Sequence, residues 1–166
     1  MKVGILSDSH DHRDAAEGAL LLFRAEGVGM IFHLGDVCAP AVLAGYADPA
    51  IPLCGVFGNN DYDRDGLQEA TGGAFRQGPR IETVEGRRIL LAHSYDQLHG
   101  ELSGQGRFDL VLFGHTHRPL TMRVGKALVV NPGESCGLLR GKSTCAIVDL
   151  DTMEPRIAEI PLPGDG

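Results

Sequence analysis

No apolar run among the 166 residues is long enough to cross a membrane, since a spanning helix needs roughly 20 consecutive apolar positions. After Met1 and Lys2 only Val3-Gly4-Ile5-Leu6 follow. That is too short for the apolar centre of an export signal, and it reads as a first strand. The chain is therefore expected in the cytoplasm, with no membrane among its partners. The four cysteines, Cys38, Cys54, Cys136 and Cys145, show no C-x-x-C spacing. Reduced and mostly buried thiols are expected, rather than disulfides or a cysteine-type zinc site. Basic residues are the minority, with 15 Lys and Arg against 22 Asp and Glu and a formal net charge of -7. With no basic stripe, an acidic chain repels long polyanions, so a groove for long nucleic acid is not expected. Internal repeats and low-complexity stretches are missing too.

What is present is ordinary in bulk. Hydrophobic residues make up 43% and charged residues 22%, close to a common globular domain. The length fits one domain over residues 1–166 with a sizeable core, its last residues, 161–166, forming a frayed tail. Lys2 to Ser7 reads as a buried strand. Asp11 to Glu26 reads as a helix, with Ala16, Ala19, Leu20 and Phe23 on one face, ended by Gly27 or Gly29. A strand over Gly29 to Leu34, a short helix over Pro40 to Tyr46 and a strand over Leu53 to Phe57 complete a β-α-β-α-β run. That order argues for parallel strands with crossover helices.

The second half holds more strands. Arg80 to Val84 and Arg87 to Ala92 flank a Glu85-Gly86 turn as a hairpin. Tyr95 to Ser103 reads as a short helix, and Asp109 to Phe113 as a buried strand. Leu120 to Val124 and Ala127 to Val130 form a second hairpin across Gly125-Lys126. Ser143 to Asp149 and Arg156 to Ile160 close the fold. Residues 62–74 carry no readable motif and are expected to be loop. Two sheets with helices outside them would hold this inventory, an α/β (α+β) class.

Five of these strands run into polar, metal-capable residues. They are Ser7-Asp8-Ser9-His10, Gly35-Asp36, Gly58-Asn59-Asn60-Asp61, His93-Ser94 and Gly114-His115-Thr116-His117. Ligand sites in open α/β sheets lie at the carboxyl ends of strands. Carboxylate and imidazole together suit Mn, Fe, Zn, Co or Ni more than Ca or Mg. The two-residue spacing within Asp8/His10 and His115/His117 would place each pair on one side of an extended segment. Asp8, His10, Asp36, Asn59, His93, His115 and His117 are too many ligands for one ion and suit two ions with one carboxylate shared. A lone Asp or His after a strand would usually be a cap or a surface group; five such motifs together outweigh that reading.

In this order the motifs resemble the calcineurin-like metallophosphoesterase family, whose pattern is D-x-H, G-D, G-N-[HDC]-[DE], H and G-H-x-H. Asn131-Pro132-Gly133-Glu134-Ser135 also resembles the N-P-G-S stretch of its compact phosphodiesterase subgroup. The resemblance implies a four-layer αββα sandwich with two mixed β-sheets. It implies two divalent ions, manganese first among the candidates. Asp8, His10 and His117 would hold one, and Asn59, His93 and His115 the other, with Asp36 between them. It further implies in-line hydrolysis of a small phosphate ester by a water or hydroxide between the ions. The metals and the Asn59 amide would stabilise charge on the phosphoryl oxygens.

Two departures from the family pattern refine this expectation. Large phosphatases of the family carry His where Asn60 stands, and a neutral amide is a poor general acid. Asn60 and Asp61 remain the candidates nearest the catalytic step, with Asp61 expected to orient its neighbours. The bet therefore moves toward phosphodiesters with good leaving groups. His93-Ser94-Tyr95 replaces a frequent H-G-H, and Ser94 and Tyr95 are expected either to reshape the pocket or to be neutral loop variants. Asn59, Asn60 and Arg118 are the candidate substrate contacts, with Arg13 a weaker one. His33 is expected in the core or behind the ligands, His12 and His99 at the surface. A scaffold that binds partners through a vestigial site is the alternative, as in the retromer-type sorting subunit of the same fold. A nuclease for short substrates is a third reading. A homodimer or homotetramer is expected by analogy only.

Overall fold

The computed structural model describes residues 1–103 and 107–162. Most of the expected frayed tail therefore lies outside the described residues. The chain runs β1 (Lys2–Leu6), α1 (Arg13–Ala25), β2 (Val28–His33), a 3-10 helix (Pro40–Tyr46), β3 (Leu53–Val56), α2 (Arg64–Ala70) and β4 (Phe75–Arg76). It continues with β5 (Arg80–Val84), β6 (Arg87–Leu91), a 3-10 turn (Tyr95–Leu98), α3 (His99–Ser103) and β7 (Leu110–Leu112). It closes with β8 (Pro119–Val124), β9 (Ala127–Pro132), β10 (Thr144–Asp149) and β11 (Glu154–Glu159).

The first sheet has the order β11-β10-β1-β2-β3-β4, and the second β5-β6-β7-β9-β8. β1, β2, β3 and β4 pair in parallel, while β10 and β11 are antiparallel. In the second sheet β6, β7 and β9 pair in parallel, between antiparallel β5 and β8. Both sheets are mixed, as the sequence led us to expect. One apolar layer, including Ile5, Phe32, Val56, Leu91, Leu112 and Val130, lies between them. A second joins the first sheet to α1, the Pro40–Tyr46 helix and α2 through Phe23, Leu43, Leu67 and Phe75. A third puts Leu98 on Leu90, Val111 and Phe113 outside the second sheet. The result is helix, sheet, sheet, helix. Each fully buried Leu, Ile or Phe contributes roughly 1.5–3 kcal/mol to holding these layers together.

Local differences from expectation have local causes. α1 starts at Arg13 rather than Asp11, because Asp11 is left-handed (φ 63°) and its carboxylate accepts a hydrogen bond from Ala39 N at 2.6 Å. His12 caps the helix instead, its Nδ1 accepting from Ala15 N at 3.2 Å. Pro40–Tyr46 is 3-10 rather than α, and Tyr95–Ser103 divides into a 3-10 turn and α3. The supposed loop over residues 62–74 contains α2, capped by Asp63, whose carboxylate accepts from Gly66 N at 3.0 Å. The Glu85-Gly86 hairpin turn is present, with positive φ at both residues (49° and 73°), as a two-residue type I′ turn requires.

Candidate metal centre

Because β1–β3 run parallel, their carboxyl ends lie side by side, and those of β6, β7 and β9 do the same. The Asp8, Asp36 and Asn59 loops leave the first sheet; the His93 and His115 loops and the Asn131-to-Ser135 segment leave the second. Backbone bonds stitch the loops together. Asp8 N donates to Gly35 O at 3.0 Å, His10 N to Asp36 O at 3.0 Å, and Ser135 N to Ser7 O at 2.9 Å. Gly35 has φ of 94°, and a Cβ there would run into the Gly58 backbone. A Cβ on Gly58 would run into the Asp36 carboxylate and its N–H. These two glycines are what lets the Asp36 and Asn59 loops touch.

The backbone around the site is unusual. Asp8, His10, Asp36, His115 and His117 all have φ between 39° and 65°. Left-handed non-glycine residues are uncommon and gather at functional sites. The segments are thus not extended, as the two-residue spacing had suggested. His115 and His117 turn to different groups. Asp8, His10 and His117 present ligand atoms that all lie within 4.8 Å of one another, and Asp36, His93 and His115 do the same. Asp36 spans the two, with Oδ2 3.7 Å from His10 Nε2 and Oδ1 3.5 Å from His93 Nε2. Asn59 Oδ1 joins the second group, 2.9 Å from His93 Nε2.

Proton placement shows what fits between these groups. His93 Nδ1 faces the Leu34 carbonyl at 2.7 Å, and a carbonyl only accepts, so Nδ1 carries the hydrogen. Nε2 therefore turns a lone pair toward Asn59 Oδ1 and toward His115 Nδ1 at 3.1 Å. Likewise His117 Nδ1 donates to Glu134 Oε2 at 2.6 Å, leaving Nε2 as a lone pair 3.4 Å from Asp8 Oδ1. Asp8 Oδ1 and His10 Nε2 are buried with no hydrogen-bond partner. A buried carboxylate oxygen and a buried imidazole nitrogen left without partners are costly, and a cation held between them would satisfy both. The donor set of imidazole, carboxylate and amide oxygen fits two transition-metal-type divalent ions. Burial raises the Asp8 carboxyl above its usual range, with the Ser7 hydroxyl, which donates to Oδ2 at 2.6 Å, opposing it.

A second ring of residues holds the loops. Asp61 is buried; its Oδ2 accepts from Asp36 N (2.9 Å) and Gly58 N (2.7 Å), and its Oδ1 from Val37 N (2.7 Å) and Cys38 N (3.0 Å). Its carboxylate is thus engaged in orienting two loops. Asn60 N and Nδ2 donate to Asp36 Oδ1 and Oδ2, both at 2.8 Å. His33 is fully buried behind the ligands, with Nδ1 accepting from Gly35 N at 3.1 Å and Nε2 2.9 Å from Ser9 Oγ. Burial is the main cause that lowers its pKa to about 4. Arg118 follows His117 on the exposed surface, and Arg13 pairs with Glu17 on α1. Tyr95 meets the rings of Phe113 and His99 edge-on in the outer helix layer, while Ser94 caps the 3-10 turn. All four cysteines are free thiols.

Two residues behind the site had not been assigned a role from the sequence. Asn131 Nδ2 donates to Gly114 O at 2.9 Å and to Thr116 Oγ1 at 3.1 Å, fixing the loop that carries His115 and His117. Glu134 is buried against His117. Burial pushes its carboxyl up, but hydrogen bonds from His117 and from the Arg140 and Leu139 backbone hold it below the usual range. The Asn131-to-Ser135 stretch was the available signal, and its Glu is where the subgroup pattern has Ser.

This arrangement of strand ends, carboxylates and imidazoles is that of a metal-dependent phosphoesterase. Residues 1–153 match the model of the calcineurin-like phosphoesterase superfamily domain, and the chain belongs to that superfamily of hydrolases. It is 31% identical over 161 residues to phosphodiesterase MJ0936 of Methanocaldococcus jannaschii, covering 94% of this chain and 97% of that protein. The solved structure of an archaeal phosphodiesterase superposes with a TM-score of 0.86 at 30% identity, covering 96% of this chain and 99% of the other. The phosphoesterase Yfce of E. coli shares the fold, with a TM-score of 0.71, 22% identity and coverage of 97% and 100%.

Proposed function

We propose that the chain is a phosphodiesterase acting on a small ester, with two divalent ions at the Asp8/His10/His117 and Asn59/His93/His115 positions and Asp36 shared between them. The observation that carries this reading is the pair of converging lone-pair clusters, each facing one oxygen of Asp36. Two ions bound there would supply an activated water and a clamp for phosphoryl oxygens. Manganese is the first candidate. The chain's own contribution is placement. Asp61 and Asn60 fix Asp36, Asn131 fixes the His115–His117 loop, and Arg118, exposed and next to His117 in the chain, is the candidate cation for a substrate phosphate.

The leaving group decides the substrate class. Asn60 offers an amide, already donating to Asp36, and an amide has no proton to give at neutral pH. Esters whose leaving group departs as an anion are the substrates this geometry favours. The test is a panel of aryl and alkyl phosphodiesters and monoesters with added Mn²⁺, run on the native protein, Asp36→Asn and Asn60→His. Aryl diesters should turn over fastest, Asp36→Asn should lose at least 100-fold (about 3 kcal/mol), and Asn60→His should gain most on alkyl esters. Equal native rates on alkyl and aryl esters, or full turnover by Asp36→Asn, would refute the reading. Tight metal binding without turnover on the whole panel would favour the scaffold.

A further inference from the structure

We infer that Glu134 is a positioning residue that sets which nitrogen of His117 carries the proton, and through it the affinity of the Asp8/His10/His117 group for its ion. The inference rests on the reading of that group as a metal site. A histidine can ligate through Nε2 only if Nε2 is unprotonated. A free imidazole is not held to that tautomer, so its second nitrogen needs an acceptor to hold the hydrogen. Glu134 Oε2 is that acceptor, 2.6 Å from His117 Nδ1. The carboxylate is buried, and desolvation strengthens a charged hydrogen bond. The His117 ring is further held by stacking on His10, with centroids 5.1 Å apart and planes 13° from parallel.

The other oxygen of Glu134 anchors a separate piece of chain. Oε1 accepts from the backbone N–H of Leu139, at 2.8 Å, and of Arg140. These belong to the connection between β9 and β10, where Leu138 and Leu139 are 68% and 67% exposed. The two roles separate cleanly under substitution. In Glu134→Gln the amide oxygen meets the two backbone donors, because turning it around would set an NH₂ against two N–H groups. The amide NH₂ then faces His117 Nδ1 and donates to it. Polarity at that nitrogen is reversed, the proton moves to Nε2, and the lone pair that faces Asp8 is lost. In Glu134→Ala the anchor of residues 139 and 140 is lost, but His117 is free to adopt either tautomer.

A purely structural Glu134 would make Ala the worse substitution; a tautomer-setting Glu134 makes Gln the worse one for metal. The experiment is Co²⁺ titration of the full chain against a competing chelator, with histidine ring ¹⁵N shifts recorded on the metal-free protein. The expected result is two-ion binding by the parent, roughly 10- to 100-fold weaker binding of one ion in Glu134→Gln, and a smaller loss in Glu134→Ala. His117 should be Nδ1-protonated in the parent and Nε2-protonated in Glu134→Gln. Parent-like affinity and tautomer in Glu134→Gln would overturn the inference, as would an Nε2-protonated parent or a greater metal loss in Glu134→Ala. Failure of the parent to bind two ions would instead refute the metal-site reading itself.

Discussion

His33 makes folding stability depend on pH between its ordinary value of 6.5 and about 4. In the folded chain it is fully buried and neutral. Gly35 N donates to Nδ1, so Nε2 carries the single hydrogen toward Ser9 Oγ. Burial lowers its pKa from 6.5 to about 4. As pH falls below 6.5 the unfolded chain takes up a proton that the folded chain refuses, until pH reaches about 4. The unfolded state binds more protons throughout that window, so stability falls with falling pH and is unaffected by His33 above it. At pH 5 that difference in proton uptake has removed roughly 2 kcal/mol of stability. The clean perturbation is His33→Asn, whose amide oxygen can still accept from Gly35 N but which does not titrate. Urea unfolding at pH 7 and pH 5, with chelator present so that metal loss adds nothing, measures the slope. The parent should lose about 2 kcal/mol more than the variant between the two pH values. An equal loss in both would refute the assignment of the neutral, proton-refusing imidazole.

Asp61→Asn replaces two of four backbone acceptor contacts by an NH₂ that faces N–H donors. Bonds to a carboxylate contribute roughly 1.5–3 kcal/mol each, so a loss of about 3–5 kcal/mol and a fall of about 10–15 °C in Tm are expected by calorimetry. A Tm within two degrees of the parent would show that the carboxylate is not holding these loops. Gly58→Ala should leave the secondary structure intact by circular dichroism but lose metal binding, because its Cβ displaces Asp36. Full metal content in that variant would contradict the tight contact between the two loops.

Much of this was legible in the chain because metal chemistry restricts residue types. Asp, His and Asn placed just after strands are residue types that can build such clusters, so Asp8, His10, Asp36, His93, His115 and His117 stood out. The two-sheet plan followed from apolar runs and the Glu85-Gly86 and Gly125-Lys126 turns. α2 was missed because it is short, carries Gly66 in its first turn and buries only Leu67. β4 has two residues and no alternation to detect. The left-handed backbone of the ligand residues cannot be read from pattern, since it arises where loops from both sheets press together. Glu134 was hidden for a different reason. The expected hairpin spans only Leu120 to Val130. The β8–β9 register, pairing Pro119 with Pro132, carries on to set Glu134 opposite His117, 17 positions away.

Each ligand cluster draws on both sheets. Asp8 and His10 leave the first and His117 the second; Asp36 and Asn59 leave the first and His93 and His115 the second. The ions would therefore sit on the seam of the sandwich, at the edge of the apolar layer between the sheets, where bonds such as Ser135 N to Ser7 O and His93 Nδ1 to Leu34 O already cross from one sheet to the other. A pair of ions at that edge would add to those bonds as a further clasp between the two sheets. Ligand binding adds stability in proportion to the logarithm of ion concentration over Kd, and here that gain would resist the sheets sliding or parting at the catalytic rim. The same ions proposed to prepare a phosphate ester for attack would also help to keep the two sheets in register.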